Sequence, residues 1–470
     1  MIGPRAAGPP RVVAILPRGE AIRNFVYSGA LDELGARAEV HLLTVLPNAG
    51  IEALLRERYG RVRELQEIGE RWCVRAAREL LEQAHGRWLG SEAARERLRL
   101  RAREATTHGA RLKRWAKATA SLPFANRPGL AVLSGIERGL SRLLRTTDEY
   151  LAAFRDLRPD LVFNGSHIHS RNAIQAVQAA RWLKIPTAAF LFSWDNLTSQ
   201  GRILPRYDHY LVWNEAIKEQ LLAMYPGTRA DRVHVTGSPQ FDFHFRPEFR
   251  WSRAEFCARV GADPVRPIVL YSTGMANHMP DEPALVEGIA DRLARMTDHG
   301  PPQLLLRVYP KDRTGRFQAL QARRPEILVP DIPWEPNWLT PEPEDAALYT
   351  STLLHVALGI NVASTVSLEL CLFDKPVINV GYNPPRVSEE ELSYARYYRF
   401  DHYRPIVESG AVQVADSEDR LAALLADALL TPARHAEARR ALVRGFFGDS
   451  LDGRCSTRVA AALGSLVHAP

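Results

Sequence analysis

Residues 359 to 381, GINVASTVSLELCLFDKPVINVG, constrain the fold more than any other stretch of the chain. Ile360 and Val362 end an apolar strand pattern, and Ser364-Thr365 stands where a helix can begin. Val366, Leu368, Leu370, Leu372 and Phe373 supply that helix with apolar residues and leave Glu369 one turn in. Lys375-Pro376 stops it, and Val377, Ile378 and Val380 read as the next strand. Strand, turn, helix, strand is a unit of parallel sheet. Free backbone N–H groups at the helix start, with hydroxyls and a carboxylate beside them, suit a phosphate and an adjoining ribose. The plainer reading is that Ser or Thr only caps the helix.

The same alternation recurs in two series. In the first, RVVAIL at 11 to 16 is a strand, Pro17-Arg18-Gly19 its exit loop, Glu20 to Leu34 a helix and Val40 to Leu46 a second strand. No GxGxxG follows the first strand, so a dinucleotide cofactor is not expected, and no other cofactor is predicted. Residues 50 to 157 read as helical, and strands resume at 160 to 164, 187 to 192, 207 to 213 and 233 to 236. The second series has strands at 268 to 271, 304 to 308, 360 to 362, 377 to 380 and 412 to 414. The predicted fold is α/β, with two doubly wound Rossmann-like domains facing a cleft and a helical basic insert in the first. The expected divisions are 1 to 240, with the insert at about 50 to 157, then 241 to 435, then C-terminal helices at 436 to 470 that cross back to the first domain.

At 470 residues and 46% hydrophobic content the chain can build two full cores. No apolar run reaches the roughly 20 residues of a membrane span, and the first residues lack the apolar centre of a signal peptide. A cytoplasmic protein is expected, working at the inner face of the membrane if its insert binds lipid. Cys73, Cys257, Cys371 and Cys455 lie far apart, without the spacing of a zinc site. Between Arg56 and Lys117, 17 Arg and Lys face 9 Glu, an excess of eight against +7 for the whole chain. The net positive charge therefore belongs to the insert. One reading is an amphipathic surface for an anionic membrane or a lipid-linked or polymeric acceptor; the other is a solvated helical hairpin laced with Arg–Glu pairs. Nucleic acid is not an expected partner.

Loops leaving the carboxyl ends of the strands are where chemistry is expected. In the first series they carry Gly19 and Glu20, His167 and His169, and Trp194, Asp195 and Asn196; in the second, Ser272, Thr273 and Gly274, Arg307 and Lys311, and Ser364, Thr365 and Glu369. Cations, hydroxyls and helix starts in the second half suit a diphosphate. Asp195 is the first candidate for a general base, with His167 and Glu20 behind it, and Gly19, His169, Trp194 and Asn196 are candidate acceptor contacts. Ordinary turn chemistry explains Asp-Asn-x-Thr-Ser equally well. No DxD pair near a strand end calls for a metal, so cationic side chains stand in its place.

These stretches carry a family pattern. SWDNLTSQG at 193 to 201, VTGSPQFD at 235 to 242, LLRVYPKD at 305 to 312 and ASTVSLELCLFDKPVINVG at 363 to 381 resemble GT-B glycosyltransferases. The resemblance is closest to the group that includes CDP-glycerol glycerophosphotransferases and non-hydrolysing UDP-N-acetylglucosamine 2-epimerases. It implies that the second domain binds the nucleotide, that Ser364, Thr365 and Glu369 meet the diphosphate and ribose, and that Ser272 to Gly274 border the phosphates. The chain departs from its relatives at Trp194-Asp195-Asn196, where the glycerophosphotransferases have Trp-His-Gly-Thr, and at Arg307-Val308-Tyr309-Pro310, where they have Arg-x-His-Pro. It also lacks the closely set acidic residues and glycine-rich turn of the epimerases. The expected activity is inverting, metal-independent transfer of a sugar from a nucleotide-diphosphate donor to a hydroxyl acceptor. Glycerophosphotransfer, donor epimerisation, and a non-catalytic nucleotide- or membrane-binding scaffold are the alternatives.

Overall fold

A computed structural model of the protein describes residues 8–103, 106–168, 171–296, 300–387 and 392–467. The chain divides into two compact units: unit one is Met1–Gln240 with Arg454–Pro470, and unit two is Phe241–Gly453.

Unit one is built on seven parallel strands: β1 Arg11–Leu16, β2 Glu39–Thr44, β3 Val62–Glu64, β4 Leu161–Asn164, β5 Thr187–Phe190, β6 His209–Val212 and β7 Val233–Val235, in the order β3-β2-β1-β4-β5-β6-β7. Strands covered on both faces need apolar residues throughout, and Val12 to Leu16 are all buried. The order reverses between β1 and β4, where Ile15 is in register with Asn164. Loops at such a switch point diverge to opposite sides of the sheet and leave a crevice. The exit loops of β1, with Gly19 and Glu20, and of β4, with His167, flank it.

Two local expectations for unit one need correction. The single helix from Glu20 to Leu34 is instead a helix Gly19–Ile22, a π-helical turn Arg23–Tyr27 and, after Gly29 at φ +84°, a helix Ala30–Gly35. Asn24 inside that turn is fully buried, and the Ser28 hydroxyl donates to its carbonyl at 2.6 Å. The insert is not wholly helical either, because Val62–Glu64 joins the sheet edge beside β2. Helices Trp72–Leu89, Glu92–Arg103, His108–Ala120, Arg127–Leu143 and Asp148–Leu157 make up most of the rest. Helix Cys455–Val467 belongs to unit one: Thr457 donates to Glu33 at 3.0 Å, Arg458 to the Thr236 carbonyl at 3.0 Å, and Val459 and Leu463 are fully buried. The helix before it, Ala436–Phe447, stays in unit two, with Arg439 donating to Asp374 at 2.8 Å.

Unit two has five parallel strands, β8 Ile268–Ser272, β9 Gln303–Arg307, β12 Leu358–Asn361, β13 Val377–Val380 and β14 Val412–Ala415, in the order β14-β13-β12-β8-β9. A two-residue ribbon, β10 Trp334–Glu335 with β11 Thr340–Pro341, punctuates the proline-rich stretch predicted as loop. The reversal here falls between β8 and β12. Their exit loops are Thr273-Gly274 and Val362 to Thr365, so both predicted phosphate loops flank one switch point. Gly359 in β12 lets the following helix lie close: a Cβ there would stand 2.2 Å from Leu370 Cδ1. Among the described residues no helix is long and apolar enough to cross a membrane.

Candidate functional site

The turn after β12 is set by a buried polar network beneath it. Asn361 Oδ1 accepts from the Ser364 N–H, the Ser367 hydroxyl and Asn379 Nδ2, each at 3.1 Å. Asn379 stands beside Asn361 in register on β13, and Tyr403 closes the network by donating to Asn379 Oδ1 at 2.7 Å. These buried groups satisfy one another except at Asn361 Nδ2, which has no partner among the described residues. The result is a fixed turn, with Ala363 at φ +45° and Ser364 and Thr365 half-buried at its outer side. Two asparagines at matching positions of two otherwise apolar strands, GIN and VIN, were a visible signal of this network.

Glu369 lies one turn into the short helix Val366–Leu372 and is only 6% exposed. Its Oε1 is 3.3 Å from His244 Nε2, its Oε2 accepts from the Tyr349 hydroxyl, and His244 Nδ1 is 3.1 Å from Thr350 Oγ1. Each carboxylate oxygen has a second lone pair, so fixing the carboxylate in this way leaves it able to accept further hydroxyls. Tyr349 also lies under the Arg307 guanidinium, 4.3 Å from its ring centroid, and Arg307 Nη2 reaches Asp345 at 2.9 and 3.0 Å. Arg307 is thus paired with a buried carboxylate, and Lys311 is exposed with its ammonium 5.7 Å from the Tyr309 ring. His244, Asp345 and Tyr349 were not singled out from the sequence.

The loop after β8 is anchored from inside. Gly274 donates its N–H to Glu282 Oε1 at 2.9 Å, and Glu282 also receives Tyr271 at 3.0 Å and Arg316 at 2.7 Å. A Cβ at Gly274 would meet Met279 Cγ at 2.5 Å. Thr273 Oγ1 accepts from the Tyr309 N–H at 2.9 Å, tying this loop to the one after β9, and Ser272 is half-buried at the end of its strand. Of the predicted donor contacts, Gly274 therefore spends its amide within the fold.

In unit one, Asp195 precedes the one-turn helix Asn196–Ser199 and is half-buried. Its Oδ2 accepts from Ser199 at 2.6 Å, while Oδ1 has only Asn196 Nδ2 at 3.4 Å. Asn196, 3% exposed, accepts the Ser193 N–H at 2.8 Å, so its amide oxygen holds the turn; Trp194 is 7% exposed. His167 lies close enough for the Asp195 charge to act on it. His167 Nδ1 lies 3.3 Å from both the Phe190 carbonyl oxygen and the Phe192 N–H, which hold the ring in place. Glu20 pairs with Arg18 at 2.7 Å and Gly19 is buried. His169 lies outside the described residues.

Charges in the insert are in part paired with one another. Arg78 is buried between Glu70 and Glu137, Arg95 pairs with Glu92, and Lys117 with Glu79. Helix His108–Ala120 buries none of its residues and leaves Leu112 and Trp115 each 66% exposed among its basic side chains.

Burial pushes His85 down to about 3 and His167 down to about 4, so both are neutral at pH 7. Against an unfolded value of 6.5, the stability they add is present above pH 6.5 and lost as pH falls from there towards 4. Each should cost unit one about 2 kcal/mol between pH 7 and pH 5. Burial drives Glu282 in unit two the opposite way, up to about 7, so its contribution falls as pH rises from about 4.5 towards 7. Hydrogen exchange by peptide is expected to quicken at pH 5, after correction for intrinsic rates, around Trp72–Leu89 and β4 but not around β8. Equal destabilisation of β8 would contradict the assignment.

No protein-family model and no curated protein matches the chain. Solved structures do. The putative UDP-N-acetylglucosamine 2-epimerase of Listeria monocytogenes is 13% identical over 97% of this chain and 96% of that one, with a TM-score of 0.56. A Staphylococcus aureus protein solved with UDP is 11% identical over 97% and 96%, at 0.53. A Rickettsia africae glycosyltransferase is 11% identical over 98% and 99%, at 0.51. At these identities the likeness is one of fold, and the chain has the two-domain α/β, GT-B-like fold of these proteins.

Proposed function

We propose that this protein is a nucleotide-sugar enzyme whose unit two binds the nucleotide diphosphate of a sugar donor. The observation that carries this is the turn after β12: half-buried Ser364 and Thr365 stand over a rigid polar network, with the Glu369 carboxylate fixed one turn further on. In this reading Glu369 accepts ribose hydroxyls, Ser364 and Thr365 meet the diphosphate, and Ser272 and Thr273 border it from the neighbouring strand end. The S. aureus protein of the same fold binds UDP, which supports a nucleotide ligand of this type.

Epimerisation of the donor sugar is the better supported chemistry, because UDP-GlcNAc 2-epimerases recur among the similar structures. Transfer to a hydroxyl acceptor is the second reading. It is supported by Asp195, whose Oδ1 has one long contact at 3.4 Å and so keeps acceptor capacity, and by the glycosyltransferase of like fold.

A thermal-shift panel of UDP, GDP, CDP and dTDP tests the binding step. A nucleotide at about 100 times its Kd should add about 2.7 kcal/mol of stability. Absence of any shift across the panel would remove the proposal. Product analysis then divides the chemistries: an altered sugar without acceptor means epimerisation, a nucleoside diphosphate released only with acceptor means transfer, and CMP means phosphotransfer.

A further inference from the structure

A cavity of about 360 Å³ opens in unit one between the insert and the exit loops of β4 and β5. Helices Trp72–Leu89 and Glu92–Arg103 wall one side; His167, Arg171 and the run Gln200 to Arg202 wall the other. Its charges do not cancel. Glu70 is taken by Arg78, Glu79 by Lys117, and Glu82 faces Arg101 at 3.7 Å. Only exposed Glu67 is left against Arg75, Arg97, Arg171 and Arg202, none of which has a carboxylate within ion-pair distance among the described residues.

Arg97 is the most telling of the four. Its Nε is sealed from solvent and has no hydrogen-bond partner. Its Nη1 lies beside Gly201, 3.8 Å from where a Cβ there would stand, at ordinary contact distance. Arg202 lies over the Tyr225 ring at 5.2 Å, a contact that orients its guanidinium without neutralising it. Burial lowers Arg97 to about 10, which still leaves it charged at pH 7. A half-buried cation without a carboxylate partner is costly, and an anion in the cavity that meets its Nη groups offsets that cost.

We infer that this cavity is an anion site for the phosphate or diphosphate group of a small molecule, gripped by Arg97 and Arg202 with Arg171 at its mouth. Planar guanidinium forks match phosphate oxygens in pairs, so two or three of them select a diphosphate over a single phosphate. The site borders His167 and so lies next to the proposed proton-handling residues. It is built from residues of unit one alone.

Titration calorimetry with pyrophosphate and with inorganic phosphate, each run with and without saturating UDP, tests it. Pyrophosphate is expected to bind in the presence of UDP and more tightly than phosphate. Arg97→Gln and Arg202→Gln should each weaken pyrophosphate tenfold or more and leave UDP affinity unchanged. Glu369→Gln should do the reverse. Pyrophosphate that fails to bind, is displaced by UDP, or binds both folded arginine variants as well as wild type overturns the inference. Loss of UDP binding with pyrophosphate binding intact would instead overturn the nucleotide reading and leave this site standing.

Discussion

Replacing Asp195 with asparagine is expected to lower turnover by about two to four orders of magnitude, the usual contribution of a positioned general base. Nucleotide affinity should stay within about twofold of wild type, since the residue lies outside the unit assigned to the donor. Asparagine keeps the shape and can still accept the Ser199 hydroxyl that Asp195 accepts at 2.6 Å, so the turn holding Trp194 and Asn196 should survive. What it loses is the capacity to take a proton. His167, neutral and beside it, is the group most able to substitute, and Asp195→Asn combined with His167→Asn should then fall further than either alone. Turnover unchanged in Asp195→Asn with normal donor binding would show the base to lie elsewhere.

Glu369 governs the second large effect. Hydrogen bonds to a charged carboxylate are worth about 1.5–3 kcal/mol, so Glu369→Ala should weaken nucleotide binding by about ten- to a hundredfold. Alanine also strips His244 and Tyr349 of a buried partner, so a melting curve must accompany the binding isotherm. Glu369→Gln keeps the volume and one acceptor, and separates the two effects: it should weaken the nucleotide while moving the melting temperature less than alanine does. Equal affinity in a folded Glu369→Gln protein would remove the centre of the functional proposal.

The sheets were legible in the sequence because parallel strands buried on both faces are apolar throughout: RVVAIL, LVFN and VINV stand out without any alignment. Val62–Glu64 did not, since an edge strand of three residues reading VRE has neither length nor apolar content. Nor did the helices Arg253–Val260 and Arg316–Arg323, each eight residues long and rich in charge. The turn after β12 was readable as a local pattern. Its supports were not, because His244 is 125 residues from Glu369 in sequence and meets it only through the fold. Arg307 shows the same limit in the other direction. A cation just after a strand suggests a phosphate contact, and nothing local discloses that Asp345, 38 residues on, already holds it.

Helix Cys455–Val467 gives unit one an order of assembly. Residues up to Gln240 leave the ribosome first, but the helix that packs on Ala30–Gly35 arrives only after the whole of unit two has been made. Unit two is continuous in sequence and can close as soon as it emerges, whereas unit one must wait with an apolar flank uncovered. During synthesis that flank stays exposed, and a released chain truncated before residue 454 would carry a complete unit two tethered to an unfinished unit one.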